Sequence, residues 1–152
     1  MRRTVLGAVV FTAVVWLGAA LPAQGVRPLV EVYKDPSCGC CSKWVDHLKQ
    51  NGFDAKTNEV ADIDAVKVAY RVPEKARSCH TARVDGFVIE GHVPAADVAR
   101  LLKERPTGVV GLAVPGMPIG SPGMEVGTRV QPYDVLAFDT NGQTRVFASH
   151  GR

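Results

Sequence analysis

Apolar residues fall along this chain in three regimes. From Val5 to Leu21 the run is almost wholly apolar and carries no charge. From Leu29 onward, short apolar blocks alternate with polar turns. Between Gly108 and Pro132 periodicity fades into a Gly-, Pro- and Met-bearing loop. The middle regime predicts elements directly. Leu29-Val30-Glu31-Val32-Tyr33 reads as a strand, and Lys34 to Gly39 as a turn rich in Asp, Pro, Ser and Gly. From Cys41 the period becomes helical, with Trp44, Val45 and Leu48 on one face and Asn51-Gly52 as the stop. Phe53 to Val60 is a weaker strand. Asp62 to Tyr70 is a second helix, with Ile63, Val66 and Ala69 on one face.

An irregular stretch after Pro73 ends at Ser78-Cys79-His80-Thr81. A hairpin follows, in which Asp85-Gly86 turns between Ala82-Arg83-Val84 and Phe87-Val88-Ile89-Glu90. Pro94 opens a third helix, where its missing N–H costs nothing, and Val98, Leu101 and Leu102 form its buried face. That helix stops before Pro106. Beyond the loop, Tyr133–Asp139 and Thr144–Ser149 flank Asn141-Gly142 as a second hairpin. The order is β-α-β-α-β-β-α with a cysteine motif between the first strand and first helix. This predicts an α/β, thioredoxin/glutaredoxin-like domain, extended by the Met/Pro/Gly loop and an added hairpin. No internal repeat and no linker divides it.

The first segment changes the picture of where the protein works. Arg2 and Arg3 precede the apolar run, and Ala19-Ala20-Leu21-Pro22-Ala23-Gln24-Gly25 follows it with small residues. That arrangement predicts a signal peptide over residues 1–25, cleaved after Ala23 or Gly25, and a single mature domain over 26–152. The competing reading is an uncleaved membrane anchor, because the run approaches spanning length. An exported chain of this kind is expected in the periplasm. Removing Arg2 and Arg3 from 18 basic residues leaves 16 against 15 acidic ones, a formal charge of +1. No basic face marks a nucleic-acid footprint.

The chemistry lies in the cysteines. Cys38, Cys40 and Cys41 are clustered, and Cys79 stands alone. Disulfides are the first expectation for an even count in an exported protein, but three clustered cysteines cannot staple a fold at distant points. Cys38 and Cys41 form a C-x-x-C pair at a helix N-terminus, where unpaired N–H groups and the helix dipole favour thiolate. Thiolate is both the nucleophile of disulfide exchange and a soft-metal ligand. In the predicted order of elements, the Cys79 loop returns beside the C-x-x-C turn, where thioredoxin-like enzymes usually place a proline. Grouped thiolates suit Cu(I), Zn(II) or an iron–sulfur cluster. Zinc sites commonly use two C-x-x-C knuckles, and ferredoxin spacing is absent. Copper therefore ranks first and zinc second.

Softer and harder ligands surround this cluster. Met117 and Met124 lie in Pro115-Gly116-Met117-Pro118-Ile119-Gly120-Ser121-Pro122-Gly123-Met124, and thioethers suit Cu(I) but not zinc. They could equally cover an apolar patch. His80 adjoins Cys79, and His92 follows the hairpin, so both are ligand candidates. His47 is expected to face solvent, His150 is uninformative, and Trp44 and Tyr33 are expected in the core.

Four motifs together carry a family resemblance. They are Tyr33-Lys34-Asp35-Pro36-Ser37-Cys38-Gly39-Cys40-Cys41, Ser78-Cys79-His80-Thr81, Val88-Ile89-Glu90-Gly91-His92-Val93-Pro94, and Gly111-Leu112-Ala113-Val114-Pro115-Gly116-Met117-Pro118. From about Leu29 to Phe147 the chain resembles the CopG-type family of periplasmic copper-resistance proteins, long catalogued as a domain of unknown function. The resemblance implies a thioredoxin-like fold, a cysteine-bridged cluster of several copper ions on Cys38, Cys40, Cys41 and Cys79, and a role in copper tolerance beside an efflux system or a periplasmic metallochaperone. The functional expectation is thus a copper-binding protein that holds Cu(I) and could cycle it with Cu(II). The alternative is an exported thiol–disulfide oxidoreductase using Cys38 and Cys41. A third reading is a structural zinc module.

Overall fold

The computed structural model describes residues 27–152. The expected leader over 1–25, its cleavage point and the anchor alternative lie outside them. Among the described residues, no helix is long and apolar enough to cross a membrane.

The elements run β1 (Leu29–Lys34), α1 (Gly39–Gln50), β2 (Asp54–Glu59), α2 (Ile63–Ala69), β3 (Thr81–Val84), β4 (Phe87–Glu90), α3 (Ala95–Glu104), β5 (Gly111–Ala113), β6 (Tyr133–Phe138) and β7 (Thr144–His150), with a 3₁₀ turn at Glu74–Ala76. The seven strands form one mixed sheet in the order β2-β1-β3-β4-β5-β6-β7. β1/β2 and β4/β5 are parallel, and the other neighbours are antiparallel.

Local chemistry explains most boundaries. Val30 and Val32 alternate into the core from β1. The Asp62 carboxylate caps α2 by accepting from Ala65 N–H at 2.9 Å. Asp85 and Gly86 both adopt positive φ, 46° and 87°, as a tight hairpin turn requires. Trp44, Val45 and Leu48 of α1 pack with Ile89, Leu101 and Leu112 in the main core. The Trp44 indole N–H is not orphaned by this burial, since it donates to Val93 O at 2.8 Å.

Several expectations are corrected. α1 starts at Gly39, so Cys40 and Cys41 stand on its first turn. The stretch Gly108–Pro132 contains β5, which is short enough to be masked by its Gly/Pro-rich setting but is held by partners on both sides. Gly111 is needed there, because a Cβ would lie 2.3 Å from Val88 O and 2.4 Å from the Phe138 ring. On α2, Ala69 is exposed and Lys67 is buried instead, because Lys67 finds a carboxylate inside. Tyr33 is half-buried against Tyr70 (5.6 Å between ring centroids) and lies outside the core.

His47 is also half-buried, and its Nε2 accepts from Ala95 N–H at 3.1 Å across two helices. That bond satisfies one open donor at the start of α3. Burial holds the imidazole below its ordinary pKa. Unfolding therefore takes up a proton as pH falls below about 6.5, so this contribution is complete above that pH and lost toward acid. Between about pH 7.5 and about pH 5, the wild-type urea midpoint should fall more steeply than that of His47→Gln, which keeps an acceptor but does not titrate. Parallel pH curves for the two proteins would show that His47 has no such role.

Candidate metal centre

Strand register brings four chain segments to one end of the sheet. Tyr33 lies opposite Thr81, Thr81 opposite Glu90, and Glu90 beside Ala113. The chain leaving β1 toward Cys38, the chain entering β3 through Cys79, the chain leaving β4 toward His92 and the chain leaving β5 toward Met117 therefore meet. On the first of these, the buried Lys34 ammonium donates to Asp35 O at 3.0 Å and Pro36 O at 3.3 Å. Cys38 N–H closes the turn onto Asp35 O at 3.1 Å. Cys38 is the N-cap of α1 and makes no side-chain cap bond. The open N–H groups of the first turn and the positive helix end are thus left beside the sulfurs.

The Sγ atoms of Cys38, Cys40, Cys41 and Cys79 lie within 4.8 Å of one another. Cys38 and Cys41 are joined as a disulfide, and Cys40 and Cys79 are free. Cys40 Sγ is 3.6 Å from Cys38 Sγ. A second group shares Cys79: its Sγ is 3.1 Å from His92 Nε2 and 3.3 Å from His80 Nδ1. Cys79 is the sulfur common to both groups.

The tautomer of His92 follows from its other nitrogen. Nδ1 sits 2.8 Å from Pro122 O, and a carbonyl can only accept, so Nδ1 carries the hydrogen. A lone pair on Nε2 then faces Cys79. This is the arrangement in which a backbone carbonyl orients an imidazole ligand. Burial pushes the Cys79 thiol up to about 11, helped by the neighbouring Cys40. It pushes His92 down and His80 well below the ordinary imidazole range. With no ion bound, the resting set is a thiol among neutral imidazoles. His80 is fully buried, with its ring 4.4 Å from that of Trp44, and its Nε2 has no hydrogen-bond partner. Sulfur and neutral imidazole in this setting suit copper or zinc and offer nothing to a hard cation.

Two buried charged side chains next to this site escaped sequence reasoning. Lys67 Nζ lies 2.7 Å from Glu90 Oε1 and 3.1 Å from Thr81 Oγ1. Ser78 N–H donates to Glu90 Oε1 at 2.6 Å, and the Thr81 hydroxyl donates to Oε2 at 2.7 Å. Burial raises the Glu90 pKa, while three donors oppose that and favour the carboxylate. A carboxylate closing the apolar run Phe87-Val88-Ile89 and a lysine between Val66 and Val68 were the available signals.

The loop carrying the methionines packs onto this end. Gly123 has φ +87°, and a Cβ there would lie 2.8 Å from Cys40 O and 2.9 Å from Trp44 N. Met124, the next residue, is half-buried, whereas Met117 is 52% exposed. Ser78 Oγ donates to Gly116 O, which ties the Cys79 segment to the Met117 turn. Gly123→Ala should cost about 1–3 kcal/mol and speed alkylation of Cys40, as read by urea denaturation and thiol labelling. An unchanged midpoint would show that the loop moves freely off α1.

A single-sheet α/β domain that gathers four cysteines and two histidines at its strand ends defines a protein able to hold a soft metal ion. The family model described as "Protein of unknown function, DUF411" matches residues 76–124. Two solved structures, of copper resistance protein CopG in forms 1 and 2, are each 44% identical with a TM-score of 0.79. Form 1 covers 84% and form 2 covers 83% of this chain, and each is covered over its whole length. The chain belongs to the DUF411 family and is a homologue of copper resistance protein CopG. No curated protein matches it.

Proposed function

We propose that this chain is a periplasmic copper-binding protein of copper resistance, built on a thioredoxin-like core with an appended loop and hairpin. Thiolates of Cys38, Cys40, Cys41 and Cys79 hold Cu(I) as a cluster of several ions, and His80 and His92 extend the ligand set from the Cys79 side. Met117 and Met124 offer soft thioethers for entry or hand-over of the ion, to an efflux system or a metallochaperone. The observation that carries the reading is the convergence of four Sγ atoms within 4.8 Å, from two segments far apart in sequence. The relatives' description as copper resistance proteins favours copper over zinc.

The test uses the chain from Val26, reduced and purified without oxygen, then loaded with Cu(I) against a competing chelator. More than one copper per chain is expected, with all four thiols protected from reagent. Ser in place of each of Cys38, Cys40, Cys41 and Cys79 in turn should lower the copper content. Unchanged content in all four variants would sink the reading.

The Cys38–Cys41 disulfide favours a second reading, a thiol–disulfide oxidoreductase. In that case Cys38, the more exposed of the two, would be attacked or attack first and Cys41 would resolve. The same two sulfurs cannot be a disulfide and two thiolate ligands at once: two electrons separate those forms, and two further protons separate the thiolate pair from the free dithiol. Protein with Cys38–Cys41 oxidised should therefore bind less copper than reduced protein, by elemental analysis of the same preparation before and after reduction. Equal loading, together with turnover of a protein disulfide by metal-free protein, would support the oxidoreductase.

A further inference from the structure

The buried charges beside the cluster are not ligands, yet they are connected to one. Lys67 is 2% exposed, and Thr81 and Glu90 are fully buried, an unusual place for two ionisable groups. A buried ion pair gives no assured stability over apolar residues of similar volume, so its presence asks for another reason. The direction of the Glu90 hydrogen bonds supplies one. Oε1 accepts the Ser78 backbone N–H at 2.6 Å, one residue before Cys79, while Lys67 at 2.7 Å and Thr81 at 2.7 Å fix the carboxylate itself. On the other side of the segment, Gly91 N–H donates to His80 O at 2.9 Å. Gly91 admits no side chain, since a Cβ would lie 2.5 Å from Ser78 Cβ. The 78–80 segment has no strand partner over Cys79 itself; its backbone hangs from these two anchors, with the Ser78 hydroxyl tied to Gly116 O beside them.

We propose that Lys67 and Glu90 are positioning residues of the metal centre: together they clamp the Ser78 backbone so that Cys79 Sγ faces both Cys40 and His92. This rests on the copper-binding reading, and it assigns the pair a task in placing one ligand rather than in holding up the fold. Lys67 locks the carboxylate, the carboxylate locks the backbone, and the backbone aims the sulfur. A second anchor of this kind typically governs metal affinity without touching the metal.

Two variants test it. Glu90→Gln keeps the shape but removes the charge opposite Lys67. The triple variant Lys67→Met/Thr81→Val/Glu90→Leu removes the whole network and leaves no buried charge or hydroxyl behind. Each is examined metal-free, with Cys38–Cys41 oxidised, by alkylation of the two free thiols resolved by mass spectrometry. Each is then reduced and titrated with Cu(I) against a chelator. The triple variant should remain folded by circular dichroism and label Cys79 roughly tenfold faster, because the loop has lost a hydrogen bond to a charged group. Cys40 labelling should be unchanged. Its Cu(I) affinity should fall by roughly 10–100-fold, and Glu90→Gln should change in the same direction. A folded triple variant with wild-type Cys79 labelling or wild-type Cu(I) affinity would overturn the proposal. So would an unfolded one, which would make the pair part of the fold. Should the wild-type chain bind no copper, the metal reading fails on that result alone, while the labelling rates still decide whether the pair places Cys79.

Discussion

The register of β1 against β3 is the constraint on which the rest of this molecule depends. Because the two strands are antiparallel with Tyr33 opposite Thr81, the chain leaving one and the chain entering the other share an edge. Cys38–Cys41 follows the first and Cys79 precedes the second, so sulfurs 38 to 41 residues apart in sequence become neighbours. A slip of one residue in this pairing would turn Val30 and Val32 out of the core and swing Cys79 away from Cys40. The hydrophobic effect that fixes the register thereby fixes the ligand geometry. The clustering of these candidate ligands is a by-product of packing that the apolar residues enforce.

That dependence leaves the cysteines in two different environments. Cys38, Cys40 and Cys41 sit at a helix N-terminus, where the backbone favours negative sulfur. Cys79 sits among buried rings, where desolvation disfavours it. Sulfurs at an open helix terminus on one side and a buried thiol between neutral imidazoles on the other make an asymmetric pocket. His92 is held in one tautomer by a backbone carbonyl, and His80 is left with an unpartnered nitrogen in the interior. Polar groups arranged at such cost to the apolar core are explained by a ligand more readily than by stability.

The protein secures this arrangement with charges on both sides. Lys34 ties down the carbonyls of the turn before Cys38, and Lys67 with Glu90 ties down the backbone before Cys79. Neither lysine approaches the sulfurs through a hydrogen bond. Lys34 acts on the main chain directly and Lys67 through the Glu90 carboxylate, and neither competes for the metal. The glycines at 91 and 123 complement them by allowing loops to approach within contact of Ser78 and of α1.

Much of the fold was legible in the chain because it is written in local patterns. The spacing of Trp44, Val45 and Leu48 announced α1, Asp85-Gly86 announced the β3–β4 hairpin, and Asn141-Gly142 announced β6–β7. The four cysteines were legible as a site, since three fall on one turn and softness does not depend on context. What the tertiary structure alone decided is everything that requires a partner distant in sequence. β5 is three residues with little propensity, made a strand by β4 and β6. His47 looked solvated until α3 offered it an N–H. Lys67 lies on a helix whose pattern singles out Ile63, Val66 and Ala69, and nothing in the strand pattern sets Glu90 apart. A buried charge is intelligible only once its counter-charge is in place, and sequence patterns report on neighbours along the chain, whereas Coulomb attraction and hydrogen bonding act between neighbours in space.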